Sequence, residues 1–336
     1  RITINKDLTI NGNNHILDAN ARGQIFQITG QRTITFNNLI FRNAGTGENN
    51  GGAIYVDAQC TIIFNNCRFE NNYRNGAGGA IYINNRGTYT FNNCNFTNNS
   101  ANGFGGAIYD RYSNTVLSFT DCTFSGNTGT TGAAISSSDS YTGTSCTLTR
   151  CKFYNNVGTG DAVVYLRYAT VKVDYCNFEN NSAYENGGAI HVRISSNPVN
   201  ITNSNFTNNK VTSTTEDEEG RGGAIRVMST ATLNVDNCIF TDNSAMYGGG
   251  IYAPYTASSS SKITNSKFYG NIAAMNGGAI YWNANGTTFT NNLFEDNQAN
   301  VGAGIFLGYG VANEVITNCN FTSNEAITSG GAVYAI

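Results

Sequence analysis

Two imidazoles occur in the 336 residues, His15 and His191, and the second has charged company. Arg193 stands two positions on, Arg226 lies one repeat later, and the acidic run Glu216-Asp217-Glu218-Glu219 sits just before it. Imidazole, guanidinium and carboxylates on one surface are the groups that acid–base work on a polysaccharide needs. No Asp-x-x-Asp or Asp-Asp constellation recurs on a strand, however, so we expect a solvated polar patch, with catalysis as the alternative. The acidic run is a weak Ca²⁺ candidate, since it lacks the spaced ligands and turn glycine of an EF-hand loop. A solvated charge run is the plainer reading, and no cofactor is expected.

Cysteine is the next reactive type. Seven of the nine, Cys67, Cys94, Cys122, Cys151, Cys176, Cys238 and Cys319, fall two residues before a phenylalanine. Stacked in successive coils they would lie about 4.8 Å apart with parallel side chains, whereas a disulfide wants about 3.8 Å between Cβ atoms. Serine takes the same place at Ser204 and Ser266, and no C-x-x-C metal spacing occurs. We read a buried ladder of reduced thiols, which points to a reducing or anaerobic setting.

Tyrosine forms a third series: Tyr55, Tyr82, Tyr109, Tyr252, Tyr281 and Tyr334, with Phe306 in the same column. Strand alternation turns these outward when Ile54 and Val56 point in, and His191 and Arg226 replace tyrosine in that column. Stacked tyrosines offer a sugar or a protein partner apolar faces with a polar tip; the alternative, and the plainer reading, is that they pack beneath loops or only stiffen the sheet. The candidate binding residues are therefore Tyr55, Tyr82, Tyr109, His191, Arg193, Arg226, Tyr252 and Tyr281.

The elements that must carry these side chains are short and repeated. An anchor aromatic recurs at Phe41, Phe69, Phe96, Phe124, Phe153, Phe178, Phe206, Phe240, Phe268, Phe294 and Phe321, about every 28 residues, within the range of stacked repeats. An apolar residue stands five before each anchor, as at Phe36, Phe64, Phe91 and Phe119, and asparagine three after it from Asn72 to Asn324. Each repeat holds three short extended pieces: Gly-Gly-Ala-Ile-Tyr, the Phe/Ile/Val position and Cys-x-Phe. None is long enough for a hairpin and no helix pattern exists for crossovers, so each piece must pair in parallel with its copy one repeat on. The expected fold is all-β, a right-handed single-stranded parallel β-helix of about twelve coils of three short strands, the right hand following the rule for parallel crossovers. Residues 1–33 form an entry coil and 34–336 the repeats of a single domain, read as a segment excised from a longer surface protein.

Composition agrees. Charged residues are 12% of the chain and proline occurs twice, while the net charge of −3 offers nucleic acid and anionic membrane nothing to bind. No apolar run reaches the roughly 20 residues that span a bilayer, so membrane insertion by this segment is not expected.

Gly-Gly-Ala-(Ile/Leu/Val) coupled with Phe-x-x-Asn resembles the repeat pair of the chlamydial polymorphic outer-membrane proteins, and the Asn- and Thr-rich setting resembles the adhesin-like surface proteins of methanogenic archaea. The glycine pair is intact at Gly51, Gly78, Gly105, Gly187, Gly222, Gly277 and Gly330, and is lost in Gly160-Asp161-Ala162-Val163-Val164. The resemblance implies an extracellular or cell-surface β-helical passenger, non-catalytic, that binds the surface of another cell, a glycan or a protein. The alternatives are a polysaccharide lyase or glycoside hydrolase on a β-helix and a purely structural stalk. Function is expected where the repeat fails: Ser136 to Ser145, His191, and Thr212 to Arg226.

Overall fold

The computed structural model describes residues 1–45, 51–137, 143–193, 198–215, 219–228, 232–254 and 260–336. Among these, every regular element is a β-strand, and no helix is long and apolar enough to cross a membrane. The chain divides into two compact units: Arg1–Thr159 with Val163–Thr170, and Gly160–Ala162 with Val171–Ile336. Both are parallel coils of one pattern, about eleven turns in total, close to the twelve expected.

The first sheet follows the glycine corner. In the first unit Ile54 pairs with Ile81, Ile81 with Ile108, Ile108 with Ile135 and Ile135 with Val164, all in parallel. In the second, Ile190, Ile225, Ile251, Ile280, Ile305 and Val333 form the equivalent row. The Phe/Ile/Val and Cys-x-Phe pieces, expected to lie in separate sheets, belong to one. Cys60–Asn65 and Arg68–Glu70 pair with Gly87–Asn92 and Asn95–Thr97 on either side of a bend. The bend is made by one left-handed residue per coil, such as Asn66 (φ 52°) and Asn93 (φ 53°), a conformation asparagine tolerates better than other side chains. A third sheet, of strands as short as Ser100–Ala101, follows the asparagine corner.

The columns fill the interior. Phe69 stacks on Phe96 and Phe96 on Phe124, with centroids 4.8 and 4.7 Å apart and planes within 2° and 4°. In the second unit Phe206, Phe240 and Phe268 stack at 4.8 Å. The side-chain repeat equals the strand spacing, so one rotamer can propagate coil after coil. At the corner, Asn99 Nδ2 donates to Asn127 Oδ1 (3.0 Å) and to the Phe69 carbonyl (2.9 Å), while its Oδ1 accepts from the Asn72 amide and backbone N–H. Such a buried asparagine leaves no polar group unpaired, which is why polar side chains can line a dry corner.

All nine cysteines are free thiols. Cys94 Sγ lies 3.4 Å from the Phe64 carbonyl, and burial pushes Cys94 and Cys238 up to about 12. Ser204 fits the ladder because its hydroxyl donates to the Thr202 carbonyl at 2.7 Å and accepts the Cys176 N–H at 3.0 Å.

Candidate functional site

The tyrosine column points out of the first sheet, yet most of it is roofed over, as in the packed reading of these residues and against an exposed binding stripe. Tyr82, Tyr109 and Tyr252 are 3%, 8% and 6% exposed; Tyr55 and Tyr281 are half-buried. The cause is the glycine corner. Gly105 has φ +64°, and a Cβ there would stand 2.7 Å from Tyr109 Cβ, so glycine lets the incoming backbone lie across the column. The roof is apolar in the first unit, where Ala77 packs on Tyr82 and Tyr109, and Phe104 stacks on Tyr109 at 5.4 Å. Tyr55, Tyr82 and Tyr109 pack ring on ring at 5.4 and 5.2 Å, and the Tyr55 hydroxyl donates to Asp57 at 3.1 Å. Burial, then Asp57, pushes Tyr55 up to about 12.

In the second unit the same column turns polar. His191 pairs in register with Arg226, and Arg226 with Tyr252. The imidazole Nδ1 lies 3.0 Å from Asp161 Oδ1. Asp161 stands three residues before Val164 as Gly187 stands three before Ile190, so a carboxylate occupies a corner where intact coils carry glycine. Its partners are thereby fixed by the fold: the chain turns over the column at that point, and the side chain reaches the next coil's outward residue.

His191 is 1% exposed, Arg226 2%, Asn186 4% and Asp161 9%. Burial, the largest influence, holds the imidazole below its usual 6.5, with Arg226 and Arg193 adding to it against Asp161. Burial pushes Asp161 up, but the His191 ring, the Asn186 amide and Arg226 outweigh it and keep the carboxyl below its usual range. A carboxylate can only accept, so in this pair the Nδ1–H donates to Asp161. Glu185 is half-buried and raised, first by burial and then by Asp161 and Glu219, with Arg226 and Arg193 opposing. Arg221 and Arg226 place their guanidinium carbons 5.3 and 5.8 Å from the Tyr252 ring centre, continuing the roof with cation–π contacts.

The insertion before Arg226 closes on this cluster. Gly220 N–H donates to the Glu185 carbonyl at 2.7 Å and Ser213 N–H to the Tyr184 carbonyl at 2.8 Å. Glu219 accepts the hydroxyls of Ser213 and Thr215, each at 2.8 Å, so its carboxylate ties the loop together. Glu216, Asp217 and Glu218, the rest of the Ca²⁺ candidate, lie outside the described residues, as do 138–142 of the irregular stretch after Ser136. Among the described residues no group of three His, Cys, Asp or Glu side chains is arranged to hold a metal ion.

The structure thus gathers His191, Arg193 and Arg226 with Asp161, Glu185 and Glu219. An Asp–His pair acts as a base only where the free ring nitrogen reaches a substrate, and this ring is enclosed. What faces outward is Tyr184, 46% exposed, next in sequence to half-buried Glu185, which has Arg226 and Arg193 within electrostatic reach. Asp161 and Tyr184 escaped the sequence reading; the signal for Asp161 was a carboxylate in a lost glycine pair.

A family model described as a right-handed beta helix region matches residues 106–253 and 168–335. The chain belongs to the right-handed β-helix family. Within this β-helix, residues 93–111 also match the Chlamydia polymorphic membrane protein repeat. The β-helix is similar to the probable autotransporter YfaL of Escherichia coli strain K12, 33% identical over 153 aligned residues. That match covers 38% of this chain and 12% of that protein, so it concerns a small part of the relative's length. No solved structure matches the β-helix.

Proposed function

We propose that this chain is a surface-displayed β-helical passenger that adheres to another cell, a glycan or a protein, and that it works by contact without catalysis. The likeness to an autotransporter and to a polymorphic membrane protein repeat supports an extracellular or cell-surface place. The observation that carries the adhesive reading is the polar interruption of the second unit: charge is scarce in this chain, yet Glu185 has Asp161, Glu219, Arg226 and Arg193 within electrostatic reach, and Tyr184, its neighbour in sequence, is exposed. An exposed tyrosine next to a carboxylate that has arginines within reach has the make-up of a binding hot spot. The enclosed His191 ring argues against the lyase or hydrolase alternative, because general-base work requires contact with substrate.

The test is binding of the soluble 336-residue chain to a panel of microbial and epithelial cells and to a glycan array. Saturable binding that weakens on Tyr184→Ala with Arg193→Gln supports adhesion. Absence of binding leaves the stalk, and depolymerisation of any polysaccharide that stops on His191→Gln would overturn the non-catalytic reading.

A further inference from the structure

In the first unit a cavity of about 310 Å³ opens where successive coils pass from the first sheet to the second. Arg32, Cys60 and Gly87 share one column there, in register. A Cβ on Gly87 would meet the Cys60 carbonyl at 2.2 Å, so this coil sends no side chain into the column. Thr33, Thr61 and Thr88 form the next column, and Asp7, Gln31 and Gln59 complete the wall.

Arg32 is the unusual member. Its Nη1 donates to the Gln31 carbonyl at 2.9 Å, while its Nε is buried with no acceptor. Among the described residues no carboxylate pairs with it: Asp7, on the same wall, accepts the Thr33 N–H at 2.9 Å. That Nε is closed off from solvent, so an incoming acceptor can use only the Nη end of the guanidinium. Gln59 is held by Arg86 Nε, which donates to its Oε1 at 3.1 Å and so leaves its amide NH₂ oriented.

We propose that this cavity is a binding subsite for a monosaccharide bearing a carboxylate, a sugar acid. The Nη end of the guanidinium, which keeps N–H groups besides the one on the Gln31 carbonyl, matches a carboxylate, which takes two parallel N–H donors. The threonine hydroxyls and the two glutamine amides offer alternating donors and acceptors, as a ring of vicinal hydroxyls demands. Asp7 accepts from a sugar hydroxyl and repels a second anionic group. The volume lies at the lower end of the range for small-molecule sites, and a phosphate ion would leave most of the wall unused. This subsite lies in the first unit and does not rest on the adhesive surface proposed for the second, so either can fail alone.

The intact chain is titrated with D-glucuronate, N-acetylneuraminate, glucose and inorganic phosphate, with binding read by ligand-observed NMR and calorimetry. The expected result is saturable binding of at least one sugar acid, weakened about tenfold by Arg32→Gln at an unchanged urea midpoint, with glucose and phosphate weaker than that acid. If Arg32→Gln lowers the urea midpoint, Thr88→Val, which removes one wall hydroxyl without charge, takes its place and must weaken binding as well. No saturable binding of either acid, equal binding of glucose or phosphate, or indifference to the folded variant overturns the proposal.

Discussion

The outward column of the first sheet is used in two ways. In the first unit Tyr55, Tyr82 and Tyr109 pack in tilted and edge-on contacts beneath Ala77 and Phe104, a largely apolar seam between a strand and its own incoming turn. In the second, His191 and Arg226 take the same position and Asp161 replaces a corner glycine, so the seam is held by charge-assisted hydrogen bonds. Both versions are buried and both have charges nearby, Asp57 and Arg111 in the first, but only the second carries a buried carboxylate–imidazole contact within the seam among the described residues. A solenoid whose neighbouring coils supply the stability can exchange one kind of seam for another locally.

Four outcomes break or sharpen that contrast. The largest is expected from Asp161→Ala, which leaves buried Arg226 and the imidazole without their carboxylate and should cost about 3–5 kcal/mol in urea unfolding. Tyr82→Ala should cost about 3 kcal/mol through the cavity it opens, so an apolar seam and a charged one come close in magnitude but differ in mechanism. Acid tells them apart: as pH falls below 3.8 the Asp161→Ala difference should shrink as the carboxylate is protonated, while that of Tyr82→Ala stays unchanged. Gly105→Ala should cost about 1–3 kcal/mol, since it forces a side chain into a left-handed conformation and against Tyr109.

The fourth outcome is the response to pH. His191 and Asp161 are both held below their usual values of 6.5 and 3.8, so in acid the unfolded chain takes up protons that the folded chain refuses. Their contribution is full above those values and is lost as pH falls, starting near 6.5 with His191. Glu185, raised above its usual 4.5, has the opposite sign and costs stability as pH rises past that value. Denaturant midpoints between pH 7.5 and 5 should therefore fall for the wild type and stay flatter for His191→Gln.

Much of the scaffold was legible because like stacks on like: the phenylalanine, cysteine and asparagine columns are visible as soon as the repeats are aligned, and parallel pairing is the one way to stack them. Two features were not. The bend between the two strands of the second sheet is written in residues such as Asn66 and Asn93, whose left-handed φ is a backbone property that a pattern of polarity does not reveal. The burial of Tyr82 and Tyr109 depends on how the chain preceding the glycine pair returns across the sheet, and strand parity gives direction without saying what covers the side chain. At the candidate site, His191, Arg193 and Arg226 were found as replacements in a column. Asp161 was hidden because its coil had been read for the glycine it lost, and its contact with His191 spans 30 positions of sequence.

The claim that adhesion belongs to the polar seam of the second unit and the tyrosine seam of the first is scaffold is tested most directly by cell binding of two matched variants. Glu185→Gln with Arg193→Gln alters the charged rim, and Tyr55→Phe removes the one hydroxyl that the tyrosine seam directs to Asp57. The account predicts that the first loses saturable binding at an unchanged unfolding midpoint while the second binds as the wild type does. Binding lost with Tyr55→Phe and retained in the charge variant would contradict it.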